Sequence, residues 1–200
     1  MQKKVEFIAE NIDKAMDEAI KKLHLSSDKI FINVLGELPE GLNCEALVDV
    51  NLTLEGKKYL ENILRVLNIG YQIEARSVGE NQIFYNIDSN ENPLLIGVNG
   101  KTLEALQVLV RSLISTYTKD KIITNLDIGA YKSNRTHQLE ILATKTAKEV
   151  AKTKISVKLK PMNSYERRII HEKLADWRDV YTESEGSGEE RAIVIKAKVQ

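Results

Sequence analysis

Gly97 and Gly100, with Val98 and Asn99 between them, interrupt two helical patterns of unequal length, and few folds accommodate such a break. On the amino side Asn92 is placed to cap a single turn opened by Pro93, with Leu94, Leu95 and Ile96 as its apolar body. On the carboxyl side Leu103, Leu106, Val110, Leu113 and Tyr117 recur at helical spacing. The joint needs a backbone free to take positive φ and bare enough for another chain to approach. Around it, Leu60, Ile63, Leu64 and Leu67 mark an earlier helix, for which Gly70 is the expected stop. Tyr71–Val78 and Gln82–Ile87 alternate as strands about a hairpin at Gly79-Glu80-Asn81, and Ile122–Ile128 returns as a strand. The order is α-β-β-α-α-β with the glycine pair between its second and third helices.

That order, with its GxxG, is the order of a type II KH domain, here spanning residues 52–131. In such domains the loop clamps about four nucleotides by their backbone. The first amides of the following helix face the phosphates, aided by the helix dipole. Gly97, Val98, Asn99, Gly100 and Lys101 are therefore candidate RNA-binding residues. Val98 and Asn99 stand where related loops often carry a basic residue, which leaves Lys101 to supply the charge. Aspartate at both Gly97 and Gly100 is expected to abolish this grip with the fold intact. Gly100-Lys101-Thr102 imitates the end of a phosphate-binding P-loop, but that motif needs a glycine where Leu95 stands and a strand where the Pro93 turn stands. Nucleotide hydrolysis is excluded on those grounds.

The flanks read as two further small modules. Residues 1–51 give β-α-β-β: a strand at Lys4–Phe7, a helix on Ile12, Met16, Ala19, Ile20 and Leu23 capped by Asn11, and strands at Ile30–Leu35 and Ala46–Val50 about a turn at Gly36–Gly41. Residues 132–200 give α-β-α-β-β. Leu139, Leu142, Ala143, Ala147 and Val150 form the apolar side of its first helix, and Lys145, Lys148 and Lys152 the other side. A strand at Ile155–Leu159, a helix after Asn163, and strands at Val180–Thr182 and Ala192–Val199 complete it, with Glu183–Glu190 as an acidic loop. The fold class expected is α+β, three small α/β modules in tandem.

Formal charge sums to zero but is unevenly spread. Residues 1–51 carry 6 Lys/Arg against 10 Asp/Glu, residues 52–131 carry 8 against 9, and residues 132–200 carry 15 against 10. Within 132–160 eight basic residues face only Glu140 and Glu149, a local field to which a phosphate backbone responds. Cys44 is the only cysteine, so no intrachain disulfide and no Cys-x-x-Cys metal site can form. His24, His137 and His171 lack ligand spacing, and no cofactor is expected. No signal-like segment opens the chain and no apolar run approaches a membrane span, so a cytoplasmic protein without membrane insertion is expected.

Pro161–His171 carries the most specific pattern. Asn163 can cap a helix, and Glu166 three residues on can close a capping box. The helix puts Ile170, Leu174 and Trp177 on one apolar stripe, with Arg167 and His171 together on the neighbouring face and Arg168 beside them. An arginine one turn before a histidine offers a fixed fork of donors to a phosphate. His171 has no second histidine or carboxylate cluster to hold a metal or complete a relay, so nuclease chemistry is not expected. It serves as a ligand for phosphate or base, or as a partner for a neighbouring side chain.

Met162-Asn163, Tyr165-Glu166-Arg167-Arg168-Ile169-Ile170-His171 and Thr182-Glu183-Ser184-Glu185-Gly186 together resemble the C-terminal Arg-xxx-His domain of the bacterial Jag family. Residues 1–51 resemble that family's N-terminal domain, although its usual glycine- and lysine-rich loop is replaced by Gly36-Glu37-Leu38-Pro39-Glu40-Gly41. The resemblance implies an RNA-binding protein, not an enzyme, that acts as an RNA chaperone or post-transcriptional regulator in cell elongation, division and wall homeostasis. It implies a small stand-alone KH protein as partner, and leaves a homodimer open. The expected mechanism is a grip by Gly97–Lys101 on one single-stranded segment and by Arg167, Arg168, His171, Lys145, Lys148 and Lys152 on a neighbouring one. Single-stranded DNA shares the same phosphate chemistry, and a protein-docking scaffold for division or membrane partners is the alternative of another class.

Overall fold

The computed structural model describes residues 3–198, which divide between two compact units, Met1–Gly129 and Ala130–Gln200. The first unit opens with β1 (Lys4–Ala9), α1 (Ile12–Leu23), β2 (Ile30–Leu38) and β3 (Gly41–Val48), an antiparallel sheet of order β1-β3-β2. Asn11 starts α1 by accepting from the Lys14 amide at 2.9 Å. Ala15 and Ala19, both fully buried, let the helix sit close against Phe7, Cys44 and Ala46. The turn expected over Gly36–Gly41 shrinks to Pro39 and Glu40. A bulge between Val34 and Gly36 lets the ladder run on through Glu37↔Leu42 to Leu38↔Gly41.

The same unit continues with α2 (Leu52–Val66), β4 (Tyr71–Val78), β5 (Gln82–Ser89), α3 (Asn92–Ile96), α4 (Lys101–Tyr117) and β6 (Ile123–Ile128). Its sheet runs β4-β5-β6, with β4 antiparallel and β6 parallel to β5. A parallel pair needs a long crossover, and α3 with α4 supplies it. Gly70 is not the stop of α2. Asn68 takes the left-handed conformation at φ 55, its amide donating to Arg65 and the Ile69 amide to Leu64, a Schellman closure that buries Ile69. Nor does Asn92 cap α3. Glu91 stands at that position, while Asn92 accepts from the Ser89 amide and hydroxyl at 2.9 and 3.0 Å and ties the end of β5 to the helix. The two sheets of this unit are joined through Lys29, whose ammonium donates to Glu55 at 2.5 Å and to the Tyr117 hydroxyl at 2.8 Å.

The second unit holds α5 (Tyr131–Thr153), β7 (Val157–Lys158), α6 (Ser164–Leu174), β8 (Val180–Glu185) and β9 (Ala192–Ala197), with an antiparallel sheet of order β7-β9-β8. Leu139, Ala143, Ala147 and Val150 of α5 meet Ile170 and Leu174 of α6 and Ile193 and Ile195 of β9 in one core. Leu142, expected in that core, is 40% exposed, and Trp177 reaches the core from beyond the end of α6. The expected strand at 155–159 shortens to a ladder at Val157↔Ile195 and Lys158↔Val194, continued by the Leu159 amide donating to the Ile193 carbonyl at 2.8 Å. Glu183 and Glu185, expected in a loop, extend β8 because Lys196 on β9 bridges both carboxylates at 2.5 and 2.8 Å. The last strand was expected to reach Val199, which lies outside the described residues.

Candidate nucleic-acid interfaces

The GxxG segment folds as a tight turn in which the Gly100 amide donates to the Gly97 carbonyl at 3.3 Å. Gly97, Asn99 and Gly100 all have positive φ, at 69, 53 and 78. Two of these three are glycines, for which that region carries no Cβ penalty. A Cβ on Gly97 would fall 2.1 Å from the Thr102 hydroxyl oxygen and 3.1 Å from the Thr102 amide nitrogen. Aspartate at Gly97 therefore disturbs the start of α4, contrary to the expectation that it leaves the fold intact. Val98 is 77% exposed and Asn99 is exposed beside it, with Lys101 at the first position of α4. No side chain caps α4, while the amide of Lys101, its first residue, donates to the Val98 carbonyl within the turn. Leu95, at the position a P-loop would reserve for glycine, is buried within α3.

In the second unit α6 starts as expected. Asn163 accepts from the Glu166 amide at 2.9 Å, and Glu166 accepts in return from the Asn163 amide at 3.2 Å. Glu166 is nearly fully buried and also receives Arg135 of α5 at 2.7 Å. The pattern that pointed to Glu166 gave no sign of Arg135, which lies thirty-one residues upstream.

Arg167 and His171 share one flank of α6, and each has a structural partner. Arg167 donates from Nη1 to the Met162 carbonyl at 2.7 Å, which fixes its fork while leaving its other donors. His171 Nδ1 lies 2.6 Å from the Thr182 hydroxyl on β8. Burial first, and the Arg167 charge second, hold the His171 imidazole below its ordinary pKa. A largely neutral imidazole follows at pH 7, so the cation on this flank is Arg167. Thr182 was quoted for the family resemblance and not as a site residue. Its hydroxyl is reached only through the tertiary fold.

Arg168 points away from that flank, is largely exposed and pairs with Glu172 at 2.7 Å. Lys145, Lys148 and Lys152 all lie exposed on α5. Lys145 and Lys148 share a groove with Lys173 of α6. At roughly 100° per residue, Lys173 is about 200° round α6 from His171. The structure thus divides residues expected to act as one face: Arg167 and His171 stand on one side of α6, and the lysines of α5 lie toward the other. Among the described residues, no group of three or more His, Cys, Asp or Glu is placed to hold a metal ion.

A model of the Arg-xxx-His domain family, named for an arginine and a histidine three spacers apart, matches residues 137–197, which contain α6 and the strands that pack on it. Over 199 residues the chain is 32% identical to the RNA-binding protein KhpB of Clostridium symbiosum, an alignment covering 95% of this chain and 90% of that protein. It is 31% identical over 199 residues to the RNA-binding protein KhpB of Bacillus subtilis, covering 94% and 95%. The RNA-binding protein KhpB of Lactiplantibacillus plantarum is 34% identical over 137 residues, 68% of this chain and 42% of that protein.

Proposed function

Because this chain belongs to the Jag family of KhpB-type RNA-binding proteins, we propose that it holds single-stranded RNA with two separate grips and performs no catalysis. The first grip is the turn at Gly97–Lys101. What carries the reading is its geometry: three residues of positive φ open a bare approach to the start of α4, whose amides meet no capping side chain. A phosphate seated there takes hydrogen bonds from the amides and the favourable end of the helix dipole. The second grip is the Arg167 flank of α6, where a guanidinium anchored on the Met162 carbonyl presents its remaining donors. His171 offers a neutral ring nitrogen, suited to a base edge or a ribose hydroxyl more than to a phosphate. Lys145, Lys148 and Lys152 add sequence-independent attraction, so affinity depends on salt and discrimination between sequences is slight.

The biological reading follows the family: an RNA chaperone or post-transcriptional regulator of cell elongation, division and wall homeostasis, working in the cytoplasm with a small stand-alone KH protein. Among the described residues no helix is long and apolar enough to cross a membrane.

The test of the loop is Val98→Asp. Val98 packs on little, being 77% exposed, so the fold is retained while a carboxylate takes the place of an incoming phosphate. Anisotropy of a labelled unstructured RNA should report a loss of about tenfold or more, equivalent to about 1.4 kcal/mol. Wild-type affinity in that variant would remove the loop from the site. Competition by a matched DNA strand decides whether the 2′-hydroxyl is read.

A further inference from the structure

α5 and α6 enclose a furrow that uses neither the GxxG turn nor the Arg167–His171 flank. One hollow is floored by Tyr165 and Ile169 with Arg168 at its edge, and its neighbour runs along α5 past Ile141 to Lys145 and Lys148. Glu140 and Lys173 line both hollows, and their ion pair at 3.6 Å forms the sill between them. Thr136 and Lys148 mark its ends on α5, about 18 Å apart at the rise of a helix.

Two features of this furrow are left over from folding. Tyr165 is 62% exposed and Ile141 is 54% exposed, so neither contributes to the core, yet each shows a broad apolar face in a concave place. Lys145 and Lys148 have no ion-pair partner among the described residues, unlike Arg168 and Lys173. The four cations stand against only Glu140 and Glu172, which leaves a net charge of +2 along the furrow. An exposed aromatic ring beside unpaired cations is how proteins hold unpaired polynucleotide: a base stacks on the ring while the groove follows the backbone. An apolar peptide helix would need a continuous greasy floor, and here the floor is broken by an ion pair.

We propose that this furrow is a further seat for single-stranded RNA, in which one unpaired base stacks on Tyr165 and the adjoining phosphates run to Lys145 and Lys148. The inference rests on the reading of the chain as an RNA binder, but on neither the loop nor Arg167. A duplex keeps its base faces covered and gains nothing from Tyr165.

The test uses the full-length protein and a short unstructured RNA carrying 2-aminopurine, whose fluorescence is quenched by stacking. Tyr165→Ala should weaken binding about 5- to 150-fold, the range for one lost stack, and relieve the quench while the slope of affinity against salt stays unchanged. Tyr165→Trp should retain both affinity and quench. Lys145→Gln with Lys148→Gln should instead flatten the salt slope by roughly two phosphate contacts. Wild-type affinity and quench in Tyr165→Ala overturn the seat, and if Val98→Asp still weakens binding about tenfold or more, the wider RNA-binding reading survives that failure. If the unaltered protein binds no RNA, both fall together.

Discussion

Beside His171 stand a threonine hydroxyl and a guanidinium, and among the described residues no carboxylate offsets the burial of its ring. The imidazole therefore titrates below the ordinary value of about 6.5. Its proton is bound more readily by the unfolded chain, so the stability His171 contributes is present above about pH 6.5 and is lost as pH falls toward the folded value. An NMR titration of the imidazole should give a midpoint below that of a free histidine, and Arg167→Ala should move it only part of the way back, since burial is the larger cause. A midpoint at or above the free value would mean the ring is not held as described. Arg167 makes a second measurement possible. Its removal should flatten the salt dependence of RNA binding by about 0.7 per phosphate lost, whereas an unchanged slope with a lowered melting temperature would leave it the anchor of Met162 alone. The pairing of Arg167 with His171 was legible because helical period is a local property of the chain. Thr182 and the Met162 carbonyl were not, because spacing says nothing of what a folded sheet or a backbone oxygen brings near.

A glycine in the middle of a helix looks like a defect, and Gly56 in α2 shows why it is kept. A Cβ there would fall 2.1 Å from the Tyr85 hydroxyl oxygen and 2.7 Å from its ring carbon. Tyr85 is fully buried, reaches the Leu52 and Thr53 carbonyls at 3.3 Å, and is pushed well above its ordinary pKa by burial. Gly56→Ala gains about 1 kcal/mol of helix propensity but overpacks this contact at about 1–3 kcal/mol. The expected result is a lower melting temperature, and a less-than-additive loss when Tyr85→Phe is combined with it. A stabilised Gly56→Ala would refute the contact. Elements themselves were easier to foresee. The Asn163 capping box, the strands of the GxxG module and the succession of helices and strands in each module follow from local pattern and turn chemistry. Their ends moved wherever a tertiary partner decided: Asn68 in place of Gly70, a two-residue β7, and a β8 prolonged by Lys196.

For the molecule as a whole, Lys29 makes a long-range side-chain tie. Only three residues separate β3 from α2, and across that joint Lys29 meets Glu55 and Tyr117, 26 and 88 positions away. Tandem order along the chain suggested three small modules, and no local signal ties Lys29 to either partner. The hydrogen bond from Lys29 holds the Glu55 carboxyl below its usual range, against burial that pushes it up. The sign follows: the contribution of this contact is present above the ordinary carboxylate value of about 4.3 and is lost as pH falls through the depressed value. Lys29→Met should cost about 1–3 kcal/mol at neutral pH, as expected for a half-buried hydrogen bond to a charged group. The loss should be concentrated in the amides of β1, β2 and β3 in hydrogen exchange, with those of α5 and α6 unchanged. The difference between the variant and the parent should shrink as pH falls through the depressed Glu55 value. Equal protection of β1–β3 in both proteins at neutral pH would show that the first two sheets are held together without Lys29, by the short connection and the Lys3–Tyr117 backbone bond alone.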